Sequence, residues 1–164
     1  ALAEHFFFFF DTFSKMIVGG NSILRPIHYP KLADRFVPGA VRAAEHEDIN
    51  LITLLCEATT SGLEILTRDG TWRAVEAPPG HIVVDSGDML ARITGGVVPS
   101  TTHRVVNPPS PEADTVRYSL PFFVHPFPEC VLEPLDLPGA GPKAPTVTAQ
   151  GFLEERLRAI GLLG

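Results

Sequence analysis

The sequence predicts a mainly β domain of the sandwich or jelly-roll type, closed by one C-terminal helix. Three observations lead there. Glycine, with 14 residues, and proline, with 16, are scattered along the chain, and the apolar segments between them are short, which favours strands and turns over a helical bundle. Asp69-Gly70 stands between two strand-like runs, a strong hairpin signal. At least six such runs fall between residues 48 and 124, enough for a two-sheet or rolled architecture.

In chain order, "DINLITLL" (48–55) reads as the first of these strands, and "GLEILTRDGTWRAVEA" (62–77) as the hairpin pair. "PPG" (78–80) turns the chain into "HIVVD" (81–85), which ends at Gly87-Asp88. "STTHRVV" (100–106) and "VRYSLPFFV" (116–124) supply one strand each. Beyond them, "LPGAGPKAPT" (137–146) is a linker by composition. The last stretch, 148–164, repeats apolar residues at Leu153, Leu157 and Ile160, the helix period, with Glu154 and Arg158 four apart and Gly161 placed to end the helix. This helix is expected to pack on the β body. No internal repeat is visible.

A chain of 164 residues with 45% hydrophobic content can bury one sizeable core, so one domain is expected. A net charge of -6 argues against general affinity for nucleic acid or anionic membrane, both of which favour a basic face. A small-molecule partner fits better. Cys56 and Cys130 lie far apart in apolar surroundings, which suggests buried thiols in a reducing, cytoplasmic compartment. The Phe6–Phe10 run lacks a basic leader and is far short of the roughly 20 residues of a membrane span. With no initiator methionine, the start reads as a fragment or a processed chain.

The chemistry concentrates in "AAEHEDIN" (43–50). Were this a strand, His46 and Asp48 would share one face and Glu47 the other. A solvated charge run is the competing reading. An imidazole and a carboxylate together suit a divalent first-row metal, and a third ligand would complete a facial set with open positions; His103 is the candidate. By the same alternation Arg117 and Ser119 share a face and offer a guanidinium fork and a hydroxyl to one carboxylate. Set inward in an apolar strand, such an arginine needs an anionic partner; at a strand edge it would simply meet solvent. H-x-D, a distant histidine and R-x-S are each short patterns, and their conjunction in one β domain is specific. No H-E-x-x-H helix is present to suggest a zinc hydrolase.

The stretches "GNSILRPIHYP" (20–30), "RAAEHEDINLITLL", "GLEIL", "RDG", "PPG", "GDML", "PSTTHRVVNP" and "RYSLPFFVHP" resemble, in consistent order, the isopenicillin N synthase-like branch of the Fe(II)- and 2-oxoglutarate-dependent oxygenases. That resemblance implies a double-stranded β-helix, a jelly roll, with a metal at its mouth. It implies that His46, Asp48 and His103 bind Fe(II), and that Arg117 and Ser119 hold the distal carboxylate of 2-oxoglutarate. Tyr29 matches a tyrosine that assists at the co-substrate end, or is a core aromatic with a satisfied hydroxyl. The implied activity is an O2-dependent dioxygenase that oxidises a small organic substrate and releases succinate and CO2.

On the same scaffold, an oxidase or cyclase of the isopenicillin N synthase type uses the R-x-S pair for its substrate's own carboxylate, without 2-oxoglutarate. A catalytically incomplete metal-binding β-barrel is the third reading, since relatives carry a substantial N-terminal portion before "GNSILR". The expected division is therefore 1–19 as a remnant of that portion, 20–136 as the jelly-roll domain, and 137–164 as linker and helix. Asp85 replaces the asparagine often seen before the "GD" turn, and 110–114 reads as a looped insertion. Met89, Ile93, Phe123 and His28 are expected wall positions of the pocket. His81 is expected at the surface, His125 off the metal and Arg104 pointing outward, while His5 lies in the unusual start.

Overall fold

The computed structural model describes residues 11–34, 37–56, 58–109 and 114–164. His5, the Phe6–Phe10 run and residues 110–113 of the expected insertion lie outside them. A short helix α1 (Thr12–Ile17) leads into strands β1 (Ile23–Leu24), β2 (Ile27–Tyr29), β3 (Ala43–His46) and β4 (Ile52–Leu55). Then come β5 (Leu63–Leu66), β6 (Trp72–Ala74), β7 (Val83–Ser86), helix α2 (Asp88–Ile93) and β8 (His103–Val105). Strands β9 (Arg117–Ser119) and β10 (Pro121–Val124) precede the final helix α3 (Ala149–Ala159).

All strand pairs are antiparallel. One sheet runs β1-β10-β4-β7, a second β3-β8-β5-β6, and β2 and β9 form a two-stranded ribbon. The hairpin of β5 and β6 forms where Asp69-Gly70 placed it. Gly70 takes the left-handed φ of 79° that the turn requires, and the Asp69 carboxylate accepts from the Thr71 amide at 3.2 Å and its hydroxyl at 2.7 Å.

Three elements differ from expectation. Residues 116–124 form two strands, broken at Leu120: β9 pairs with β2, while β10 begins on Pro121 and pairs with β1 and β4. A proline is tolerated as the first residue of a strand, and alternation carries across the break, so Arg117, Ser119, Pro121 and Phe123 all line one cavity. The expected strand 48–55 is regular only from Ile52. Its first part loops out because the carbonyls of Asp48 and Asn50 accept from the amides of Asp88 and Met89 at 2.8 and 3.1 Å, and that of Leu51 from Gly87 at 3.0 Å. Those amides open helix α2, the unexpected element. Gly87-Asp88 does end a strand, but Asp88 also starts six residues of helix, too short for a period to stand out.

The core gathers around α2. Met89, Leu90 and Ile93 are almost wholly buried and pack with Leu51, Cys130, Leu132, Ala149 and Phe152. Thr148 caps α3 by accepting from the Gly151 amide at 3.1 Å, and Gly161, with φ of 73°, follows its end. The anchoring face of α3 is set by Ala149 and Phe152, with Leu153 half-buried, whereas Ile160 is exposed. The expected stripe was thus displaced: only the first half of the helix meets the core. Residues 137–146 hold no helix or strand and are tied to α2 by Arg92 donating to the Pro145 carbonyl at 2.6 Å. Both cysteines are free, Cys130 buried and Cys56 exposed, so the expectation of two buried thiols holds for Cys130 alone; Cys56 lies just past β4, outside the packed sheet. No helix among the described residues is long and apolar enough to cross a membrane.

Candidate metal and anion-binding site

A cavity of about 280 Å³ is lined by residues of both four-stranded sheets and of the β2–β9 ribbon. His46 closes β3 and sits directly opposite His103 of β8, their ring centroids 4.3 Å apart. Asp48 lies two residues past the strand, so alternation along a strand is not what unites it with His46. The chain leaves the strand after His46, and Asp48 Oδ1 lies 3.9 Å from His46 Nε2. Ligand atoms of His46, Asp48 and His103 all lie within 4.8 Å of one another. Glu47 stays outside, exposed, accepting from the Thr102 hydroxyl at 2.9 Å.

Each imidazole is oriented by the backbone. His46 Nδ1 lies 2.8 Å from the Ala44 carbonyl and His103 Nδ1 3.0 Å from that of Thr101. A carbonyl only accepts, so each ring places a proton on Nδ1, the tautomer that, in a neutral imidazole, leaves the Nε2 lone pair for a metal. Asp48 is 8% exposed and held from behind. The Thr53 hydroxyl donates to its Oδ2, and Asn50 Nδ2 donates to Thr53 Oγ1 at 2.8 Å. That leaves Oδ1 toward the histidines. Two neutral imidazoles and one carboxylate oxygen on three sides of a point are a donor set suited to Fe(II) and other first-row divalent ions.

The loop carrying Asp48 depends on Gly87. A Cβ at that position would run into the Asn50 carbonyl and amide oxygens and lie 2.8 Å from the Asp48 carbonyl oxygen. Asp85 of β7, opposite Thr53 in the sheet, sends its carboxylate to the same place, with Oδ2 3.4 Å from His103 Nδ1. Burial raises its pKa to about 6; His103 pulls the other way, and the Asp48 charge adds to the rise.

At another part of the cavity wall, Arg117 is 1% exposed and faces Tyr29 across the ribbon, its guanidinium carbon 5.1 Å from the ring centroid. Its Nε donates to the Thr60 carbonyl at 3.2 Å, and Nη1 is buried without a partner. Ser119, two residues on, is also buried, while Tyr118 between them is exposed. Burial lowers the Arg117 pKa, yet a guanidinium remains charged. Among the described residues no carboxylate pairs with it. A buried cation with a free donor favours an anionic partner.

Residues 20–126 match the sequence model of the 2OG-Fe(II) oxygenase superfamily. The chain belongs to that superfamily. A 2OG-Fe(II) oxygenase family protein of Caulobacter crescentus is similar over 97% of this chain and 52% of its own, with 41% identity and a TM-score of 0.85. A full-length Neurospora crassa protein, solved in complex with alpha-KG and thymine, shares 31% identity over 97% of this chain and 50% of its own, with a TM-score of 0.85. An Aspergillus fumigatus 2-oxoglutarate-Fe(II) type oxidoreductase is 36% identical over 126 residues, 76% of this chain and 35% of that protein. The chain therefore spans about half the length of these solved relatives and about a third of the curated one. The jelly-roll expectation agrees with these 2OG-Fe(II) oxygenase neighbours and with the mainly β architecture.

Of the wall positions expected in a 2OG-Fe(II) oxygenase, Phe123 lines the cavity, with the Arg25 guanidinium 4.7 Å from its ring centroid. Met89 and Ile93 do not; they belong to the core beside α2. His28 stacks on Tyr118 at 5.1 Å, and both residues are exposed, because alternation turns them away from Tyr29 and Arg117. His81 is exposed, and Arg104 pairs with Glu64 at 2.8 Å and lies over Trp72, as expected of an outward strand position. His125 directs Nδ1 to the Phe123 carbonyl at 3.4 Å and is absent from the three-residue cluster. Sequence reasoning missed Thr53, Asn50 and Arg25. For Thr53 a signal was present: a threonine in phase with Leu55, which also lines the cavity.

Proposed function

We propose that this chain carries the metal- and co-substrate-binding barrel of a dioxygenase that uses Fe(II), 2-oxoglutarate and O2 to oxidise a small organic molecule, releasing succinate and CO2. One observation carries the reading: three metal-competent donor atoms within 4.8 Å of one another share a cavity with a buried guanidinium that has no carboxylate partner among the described residues. His46 Nε2, Asp48 Oδ1 and His103 Nε2 would hold Fe(II), which, once bound with 2-oxoglutarate and O2, supplies the oxidising chemistry.

The remaining work falls to the chain itself. Arg117 and Ser119 take the distal carboxylate of the 2-oxo acid, and Tyr29 bounds that end of the site. Arg117 holds this anion by charge-assisted hydrogen bonds and neither gives nor takes a proton. Leu55, Leu63, Ile65, Val105 and Phe123 wall the cavity and keep water from the reacting centre. Exposure of the His46 side chain, 44%, marks the open side, where a small-molecule substrate enters. Two free thiols are in keeping with a reducing, cytoplasmic compartment.

The test is anaerobic addition of Fe(II) and 2-oxoglutarate. A visible metal-to-ligand charge-transfer band should form, be lost in Asp48→Ala and persist in Glu47→Ala. Succinate should follow when air and a substrate are supplied. Because a buried guanidinium favours an anion without specifying which one, a specific rival is an oxidase that binds its substrate's carboxylate at Arg117. Oxidation of a peptide-like carboxylate without 2-oxoglutarate, and no succinate under any condition, would establish that rival. Since the chain spans half the length of its solved relatives, a barrel that binds without turnover is the other alternative; the band without any succinate would identify it.

A further inference from the structure

Among the described residues, Asp85 is the one carboxylate lining the cavity that has no part in the proposed function. It stands on β7, in the sheet that also carries Thr53 on β4. Its position relative to His103 is specific. Oδ2 is 3.4 Å from the same Nδ1 that donates to the Thr101 carbonyl, so a carboxylate stands beside that ring N–H without taking its hydrogen bond. The side chains of both residues are largely buried, at 17% and 14% exposure. His46 Nδ1 has the Ala44 carbonyl, and among the described residues no carboxylate, in the corresponding place. The two metal-facing histidines, which lie opposite each other in paired strands, are thereby made unequal.

We propose that Asp85 is a positioning residue that acts on the metal through His103, making that imidazole the stronger of the two nitrogen donors. A carboxylate beside the distal N–H of a ligating histidine fixes the tautomer and ring orientation and raises the basicity of the other nitrogen. The sheet holds it there: β7 pairs with β4, setting Asp85 opposite Thr53, whose hydroxyl orients Asp48. One strand pair thus supports two of the three ligands. This inference rests on His46, Asp48 and His103 being the metal ligands.

The experiment measures Co(II) affinity by calorimetry and visible absorption, on the whole chain without 2-oxoglutarate, in buffer kept above neutrality. Asp85→Asn keeps the shape and removes the charge, and should weaken Co(II) binding about tenfold, with Asp85→Ala weakening it further, within the roughly 10- to 100-fold range typical of such partners. Glu47→Ala, a similar charge change at an exposed position, should leave affinity unchanged. Wild-type affinity in Asp85→Asn, with Asp48→Ala abolishing binding, would overturn the proposal while leaving the metal site standing. Full binding by Asp48→Ala would overturn both. Should either Asp85 variant fold poorly, the Nδ1 proton resonances of the Zn(II)-loaded wild type decide: that of His103 should lie downfield of that of His46, and coincidence of the two would refute the proposal.

Discussion

Replacing Thr53 by valine tests whether the metal-facing carboxylate is held as the structure shows. Valine is close in shape to threonine, so no cavity opens; what disappears is one hydroxyl. That hydroxyl donates to Asp48 Oδ2 and accepts from Asn50 Nδ2 at 2.8 Å, with Asn50 1%, Thr53 5% and Asp48 8% exposed. A hydrogen bond to a charged group is worth about 1.5–3 kcal/mol, and a buried donor left without its acceptor costs about 1–3 kcal/mol more. The two terms share one relay and do not simply add. A loss of about 3 kcal/mol for the metal-free protein is expected, which lowers Tm by about 6–12 °C in a chain of this size. Urea unfolding with chelator present is the assay, with the slope m unchanged. Combined with Asp48→Ala, the same substitution should cost less by about 1–2 kcal/mol, because the carboxylate it served is gone. Thr53→Val within about 0.5 kcal/mol of wild type, the range of ordinary surface substitutions, would refute the relay.

Arg117→Met replaces an unpaired buried cation with an apolar side chain, so the fold should be retained or slightly stabilised. Affinity for 2-oxoglutarate should meanwhile fall about 10- to 100-fold, corresponding to about 1.5–3 kcal/mol for charge-assisted hydrogen bonds; titrating the charge-transfer band reads it. Gly87→Ala drives a methyl group into the Asn50 and Asp48 carbonyls, and should cost more than about 3 kcal/mol, at the severe end of single substitutions. Thermal unfolding checks the cost, and Co(II) binding checks that the Asp48 loop moves. His125 has its pKa lowered, chiefly by burial, so the unfolded chain takes the proton first as pH falls below the ordinary value of about 6.5. Its contribution to stability is therefore full above that pH and eroded below it until the folded protein also protonates. Urea midpoints at descending pH should fall more steeply for wild type than for His125→Gln, and parallel curves would refute the assignment.

Alternation made much of the site readable. Arg117 and Ser119 point inward together because β9 obeys period two, and the hairpin formed because Asp69-Gly70 supplies the backbone angles such a turn needs. The pairing of His46 with Asp48 was read correctly as a neighbourhood and wrongly as a strand, since the amides that pull Asp48 out of line belong to residues 87–89. Helix α2 escaped notice for the same reason: six residues carry too little period, and their identity as the core's centre depends on Leu132 and Phe152 arriving from far along the chain. Thr53 had its phase with Leu55 as a local signal, but its place opposite Asp85 follows from the register of β4 against β7, which no local pattern encodes.

The backbone carbonyls of Asp48 and Asn50 cap the very helix whose Met89, Leu90 and Ile93 fill the core. A descendant that lost the proposed ligands His46 and His103 would still need this loop in place to keep its interior closed. Drift should therefore erase side chains here long before it erases the loop's path, so that such a chain would keep the outline of a site it no longer used.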